Sequence, residues 1–70
     1  MKILLYLRQY DAPDSLMGQL HVGPVPNLPQ QGDLIDFEGI AYQVINRRFF
    51  CKTTYGSYDV GEVHIKLMKL

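Results

Sequence analysis

The residues able to carry chemistry are two histidines, His21 and His64, a single cysteine, Cys51, and seven carboxylates. Asp59, Glu62 and His64 fall close together, and on a strand Glu62 and His64 share a face. Zinc accepts such ligands. The chain nevertheless lacks the C-x-x-C and H-x-x-x-H spacings that mark a zinc centre. The plainer reading is a solvated turn followed by a histidine on the polar face of a strand. Cys51 beside His64 or His21 would make a thiol–imidazole nucleophile, but no spacing brings them together. A lone cysteine late in a strand reads instead as a small buried hydrophobe. Asp33, Asp36 and Glu38 surround a hairpin, where exposed acids are ordinary, and with Asp59 and Glu62 they form no recognisable acid–base pair. No glycine-rich loop leads into a helix N-terminus, so phosphate binding of that kind is not expected. The sequence therefore points to a chain that is not an enzyme and holds no metal or cofactor.

The segment Arg47-Arg48-Phe49-Phe50-Cys51-Lys52 is richer. Strand alternation sets Arg48 and Phe50 on one face and Arg47 and Phe49 on the other. Whichever face is the core, an Arg–Phe pair remains opposite. Arginine beside aromatics is the composition of protein-binding hot spots. It is also that of single-stranded nucleic-acid platforms, where bases stack on rings. The competing structural reading has one phenylalanine in the core while arginine stems cap the end of a barrel. Tyr55 and Tyr58 follow in a turn and extend the patch, so the candidate partner-binding set is Arg47, Arg48, Phe49, Phe50, Lys52, Tyr55 and Tyr58.

These residues need strands to position them. Met1–Tyr10 alternates with period two, Met1, Ile3, Leu5 and Leu7 forming one face. Asp11–Ser15 has turn chemistry, and Leu16–Val22 returns as a second strand with Leu16, Leu20 and Val22 on its apolar face. Gly23–Gln31 carries Pro24, Pro26 and Pro29 and reads as an extended loop. Gly32-Asp33 opens a third strand, Leu34–Phe37, and Glu38-Gly39 turns it into the longest one, Ile40–Lys52. Continuing the Tyr42–Val44 core face along that strand buries Arg48, so a bulge or bend is expected near Asn46. Thr53–Gly61 reads as a turn-rich connection, and Val63–Leu70 closes the chain with Val63, Ile65 and Leu67 on one face. Leu4, Tyr6 and Tyr10 on the first strand, with Met68 and Leu70 on the last, lie opposite the main apolar faces. If the terminal strands adjoin, these five form one exposed apolar patch for self-association or partner docking, unless the Pro24–Pro29 loop folds over it.

The stretch Gly32-Asp33-Leu34-Ile35-Asp36-Phe37-Glu38-Gly39-Ile40-Ala41-Tyr42-Gln43-Val44 resembles the G-D-x-h-x-h-x-G-x-x-Y-x-V hairpin of small SH3-like β-barrels. Many bacterial and phage proteins of unknown role carry that hairpin. The resemblance implies a fold and no function, because such barrels host many unrelated functions. KOW-type ribosomal and transcription modules show a related pattern. Their basic loops have no counterpart here, so RNA binding is not carried over.

Seventy residues make one domain, spanning 1–70. Hydrophobic residues at 47% and charged residues at 20% suit a globular chain and not a disordered one. One cysteine excludes an internal disulfide. Arg8 cuts the apolar start Ile3–Leu7 too short for a signal peptide, and no apolar run is long enough to span a bilayer. A cytoplasmic protein with no membrane association is expected. Seven basic residues cancel seven acidic ones, which argues against a dedicated duplex nucleic-acid binder and favours association. The expected fold is all-β, a small five- or six-stranded antiparallel SH3-like barrel. The expected function is non-catalytic docking on a protein partner, as a phage-type inhibitor or accessory subunit does. The alternative is a single-stranded nucleic-acid-binding module using the Arg/Phe patch, and a homodimer is compatible with both.

Overall fold

The structure is a computed structural model that describes residues 1–22 and 27–70. Five strands form one sheet: β1 (Lys2–Leu7), β2 (Ser15–Leu20), β3 (Leu34–Phe37), β4 (Ile40–Thr54) and β5 (Ser57–Lys69). Their spatial order is β2-β1-β5-β4-β3. The hairpin β1–β2 and the meander β3–β4–β5 meet along β1 and β5. Because β5 returns from β4 antiparallel, it lies beside β1 running in the same direction. The fold is all-β with five strands, as expected, and the sheet is antiparallel at every pair except this parallel one. The parallel pair matches like with like: Ile3 faces Val63, Leu5 faces Ile65 and Leu7 faces Leu67.

Those pairs build the core. Val63, Ile65 and Leu67 on the central strand are fully buried, joined by Ile3, Leu5, Tyr42 and Val44. Leu7, Leu20, Leu28, Ile35 and Phe37 pack against them. The sheet curls over this face into a half-barrel. Phe37 of β3 and Met17 and Gly18 of β2 line one depression, although β2 and β3 are opposite edges of the sheet.

Three irregularities shape the strands. In β2 the ladder slips at Met17, which leaves Leu16 opposite Tyr6 and outside the core, while Leu20 stays inside. The expected apolar face of Leu16, Leu20 and Val22 is therefore not formed. In β4 one extra residue, Ile45, lies between Val44 opposite Leu67 and Asn46 opposite Lys66. This is the bulge required to keep Arg48 out of the core. It hands the core side over to Arg47 and Phe49, opposite Ile65 and Val63. A third slip, at Gly61, lies between the Phe50–Glu62 and Cys51–Val60 pairs.

Two tight turns connect the meander. Glu38 and Gly39 take φ of 51° and 83°, and Tyr55 and Gly56 take 49° and 81°. Two consecutive positive φ values define the type I′ turn, whose twist suits a two-residue hairpin. The second turn corrects the expectation of a loop over Thr53–Gly61. Both strands continue to Thr54 and Ser57, and only Tyr55 and Gly56 turn. Pro24 and Pro26 of the expected loop lie outside the described residues. Among the described residues no helix is long and apolar enough to cross a membrane.

Candidate functional site

The β4–β5 hairpin outruns its neighbours. β1 pairs with β5 no further than Lys2 opposite Glu62. On the other side, the last bonds to β4 come from Gly32 and Asp33 to Val44. Residues 51–60 consequently form a two-stranded ribbon with no strand beside it among the described residues, and every one of them is exposed. Cys51 is exposed with them, against the expectation of a small buried hydrophobe. Its strand has left the core by that point, so there is nothing to bury it.

The expected partner-binding residues divide between the two faces and the tip of this ribbon. On the core side, Arg47 and Phe49 lead outward to Cys51 and Thr53 on β4, with Val60 and Tyr58 across from them. Phe49 is 44% exposed, Val60 39% and Tyr58 79%. The buried line of Leu67, Ile65 and Val63 thus runs on into solvent as an apolar stripe. The Arg47 guanidinium lies 5.3 Å from the Phe49 ring centre. At the tip, Tyr55 is fully exposed at 103% while holding a left-handed backbone.

The opposite face carries Arg48, Phe50 and Lys52. Here the sheet brings together residues from three strands that sequence reasoning kept apart. The His64 ring lies 4.4 Å from Phe50 and 4.9 Å from Tyr6. Arg48 lies 5.0 Å over Phe50. Phe50 therefore has an arginine and a histidine against it; the arginine is its neighbour on β4, the histidine comes from the β4–β5 register, and the parallel β1–β5 register adds Tyr6 to the far side of His64. Tyr6, Asp14, Asn46, Arg48, His64 and Lys66 line a shallow depression of about 380 Å³. Lys66 pairs with Asp14 at 3.1 Å. Glu62 and His64 do share a face, with Nε2 3.5 Å from Oε2. The alignment makes no hydrogen bond, and His64 Nε2 is buried without a partner. Among the described residues, Asp14 is the one carboxylate lining this depression, against Arg48 and Lys66, and no three His, Cys, Asp or Glu side chains converge on a metal position.

The expected self-association patch is partly assembled. Leu4 and Tyr6 stand opposite His64 and Lys66 on the outer face, and Leu4, Tyr6 and Met68 are half-buried. Tyr10 and Leu70 are exposed beyond the ends of their strands. Arg8 lies 5.2 Å over the Tyr10 ring. The described end of the proline loop does not cover this patch, because Leu28 packs against the core on the other side of the sheet. A broader cleft of about 640 Å³ opens there, lined by Leu28, Pro29, Asp33, Leu34, Ile35 and Arg47.

Compared with protein-family models, with curated proteins and with solved structures, the chain matches none.

Proposed function

We propose that the protein is a non-catalytic binding module that docks a protein partner through the core-side stripe and tip of the β4–β5 ribbon. The observation that carries this reading is the ribbon itself, which holds Phe49, Val60, Tyr58 and Tyr55 out in water. An isolated two-stranded hairpin is marginally stable on its own, and exposed aromatics next to arginine are the residues that dominate protein interfaces. Tyr55 adds a second sign. An aromatic side chain at φ 49° strains the backbone by about 1 kcal/mol, and with full exposure nothing within the chain offsets it. Such strain collects at positions kept for function. A phage-type inhibitor or accessory subunit, working in a cytoplasm, fits the size and the balanced charge.

The test is capture of a partner from cells that make the protein, comparing wild type with Phe49→Ala/Tyr58→Ala. The reading expects one protein retained by wild type, lost from the variant, and held about equally at low and high salt. Retention by the variant would contradict it. The alternative is single-stranded nucleic acid, with Arg47 and Arg48 holding phosphates and the phenylalanines stacking bases. Its support is the Arg–Phe pair on each face. It ranks second because Phe50 is already stacked by Arg48 and His64. Fluorescence anisotropy with a labelled oligonucleotide separates the two, since nucleic-acid binding falls steeply with salt and would fail in Arg47→Ala/Arg48→Ala.

A further inference from the structure

The ribbon has an open backbone edge as well as an apolar face. In an antiparallel ladder, successive residues aim their N–H and C=O alternately at one neighbour and the other. Val44 gives both groups to the β3 side, its N–H donating to Asp33 and its C=O accepting from Gly32. Ala41 accepts from Leu70 on the β5 side. Carried past the extra residue Ile45 with the observed register, this alternation aims Asn46, Arg48 and Phe50 at β5. It aims Arg47, Phe49, Cys51 and Thr53 outward. The closing pair Thr54–Ser57 beside the two-residue turn agrees with this phase. Beyond the end of β3, no strand among the described residues receives these outward groups. Proteins normally blunt such an edge by shortening it, covering it, bulging it or placing lysine or proline in it, and of these devices β4 carries Lys52 and, at the base of the ribbon, the extra residue Ile45. This stretch contains no proline and is not covered.

The molecule also has surface to spare. Its accessible area is 5248 Å², where a compact chain of 8.1 kDa exposes about 4,500 Å². The excess of roughly 750 Å² is close to the ~800 Å² that one partner gives up in a standard interface. The radius of gyration, 13.3 Å, likewise exceeds the ~11 Å of a compact chain of this length.

We infer that the outward edge of β4 pairs antiparallel with the same edge of a second copy of this chain, about a two-fold axis at Cys51. Symmetry and charge select this register. The axis must fall on a residue, since an axis between residues would set an outward group against an inward one. An axis at Phe49 drives the tip at Tyr55 and Gly56 into Gly32 and Asp33, where β3 ends. An axis at Phe50 sets Arg48 opposite Lys52 of the second copy, twice, and like charges directly opposed are unfavourable. An axis at Cys51 avoids both. Phe49 then faces Thr53, Arg48 faces Thr54, and Lys52 faces Phe50. The tip of each copy stops beside Arg47, at the mouth of the cleft lined by Leu28, Pro29 and Leu34. Zero net charge opposes no such contact. Because opposed residues share a face, the two apolar stripes merge into one surface on a four-stranded β5-β4-β4-β5 platform.

Sedimentation equilibrium under reducing conditions, at high micromolar concentration, is the test. The expected mass is twice the 8.1 kDa of one chain. Thr53→Pro removes an outward N–H without touching the bonds to β5, so it keeps the far-ultraviolet β signature and weakens association by roughly tenfold or more. A second measurement needs no variant. In hydrogen-bonded antiparallel pairs the Cα atoms lie ~5.5 Å apart, within disulfide reach. Diamide, taking two electrons and two protons from the paired Cys51 thiols, therefore yields a covalent dimer. A chain that sediments at 8.1 kDa overturns the inference. So does a dimer that Thr53→Pro leaves intact, or one in which Cys51 does not oxidise. Partner capture by a monomer would sink this pairing and leave the docking reading standing, whereas a dimer that captures nothing would do the reverse.

Discussion

Replacing Tyr55 by asparagine should stabilise the free protein. Tyr55 is the first central residue of a type I′ turn, at φ 49°, with Gly56 second at φ 81°. Asn-Gly is the preferred pair for this turn because asparagine enters the left-handed region at little cost. Tyrosine at that φ is strained by about 1 kcal/mol. Its side chain is fully exposed, so no burial is forfeited when it is removed. The expected gain is therefore about 0.5–1 kcal/mol. For a chain this small, with an m-value of about 1 kcal/mol/M in urea, that moves the midpoint upward by about 0.5–1 M. Urea unfolding followed by circular dichroism, extrapolated to the dilute limit where any dimer has dissociated, reads the effect directly. The same variant should bind the partner more weakly, a stability gain coupled to a functional loss. An unchanged or lowered midpoint would refute the argument that Tyr55 is held under strain for the sake of what it contacts.

Two further outcomes follow from the packing. Ile65 is fully buried on the central strand, between Leu5 and Arg47, and Ile65→Ala should cost about 3–4 kcal/mol. Since a 70-residue domain has only about 4–10 kcal/mol in total, that variant is expected to be largely unfolded in mild urea, while Ile65→Val loses about 1 kcal/mol. A cost below 1 kcal/mol for the alanine change would mean the core lies elsewhere. His64→Phe keeps a ring between Tyr6 and Phe50 and removes the buried, unpartnered Nε2. Apolar replacement of an unsatisfied group is neutral or stabilising by about 1 kcal/mol, and a clear loss in a thermal melt would show that His64 makes a bond essential to the fold.

Much of this architecture was written in local patterns. The alternation of Ile3, Leu5 and Leu7, and of Val63, Ile65 and Leu67, located both central strands, because one buried face imposes period two. Glu38-Gly39 fixed the β3–β4 turn. The bulge at Ile45 was legible for a reason of energy, as a regular strand would have buried Arg48. What stayed hidden depended on distant partners. Gly56, Ser57, Asp59 and Gly61 look like a loop until β4 is known to continue opposite them, and then only Tyr55 and Gly56 turn. Cys51 reads as buried because its neighbours are apolar, yet burial there depends on where β1 and β3 stop. The stack of Tyr6, His64 and Phe50 joins three strands, and no spacing within one strand announces it.

Photo-crosslinking tests the central claim, that the ribbon is the working surface, most directly. A benzophenone amino acid placed at Tyr58, on the exposed stripe, is compared in cells with the same probe at Leu4 on the outer face. The account predicts an adduct with a partner protein from position 58 and none from position 4. A partner adduct from position 4, with position 58 silent, would contradict it and move the binding surface to the other side of the sheet.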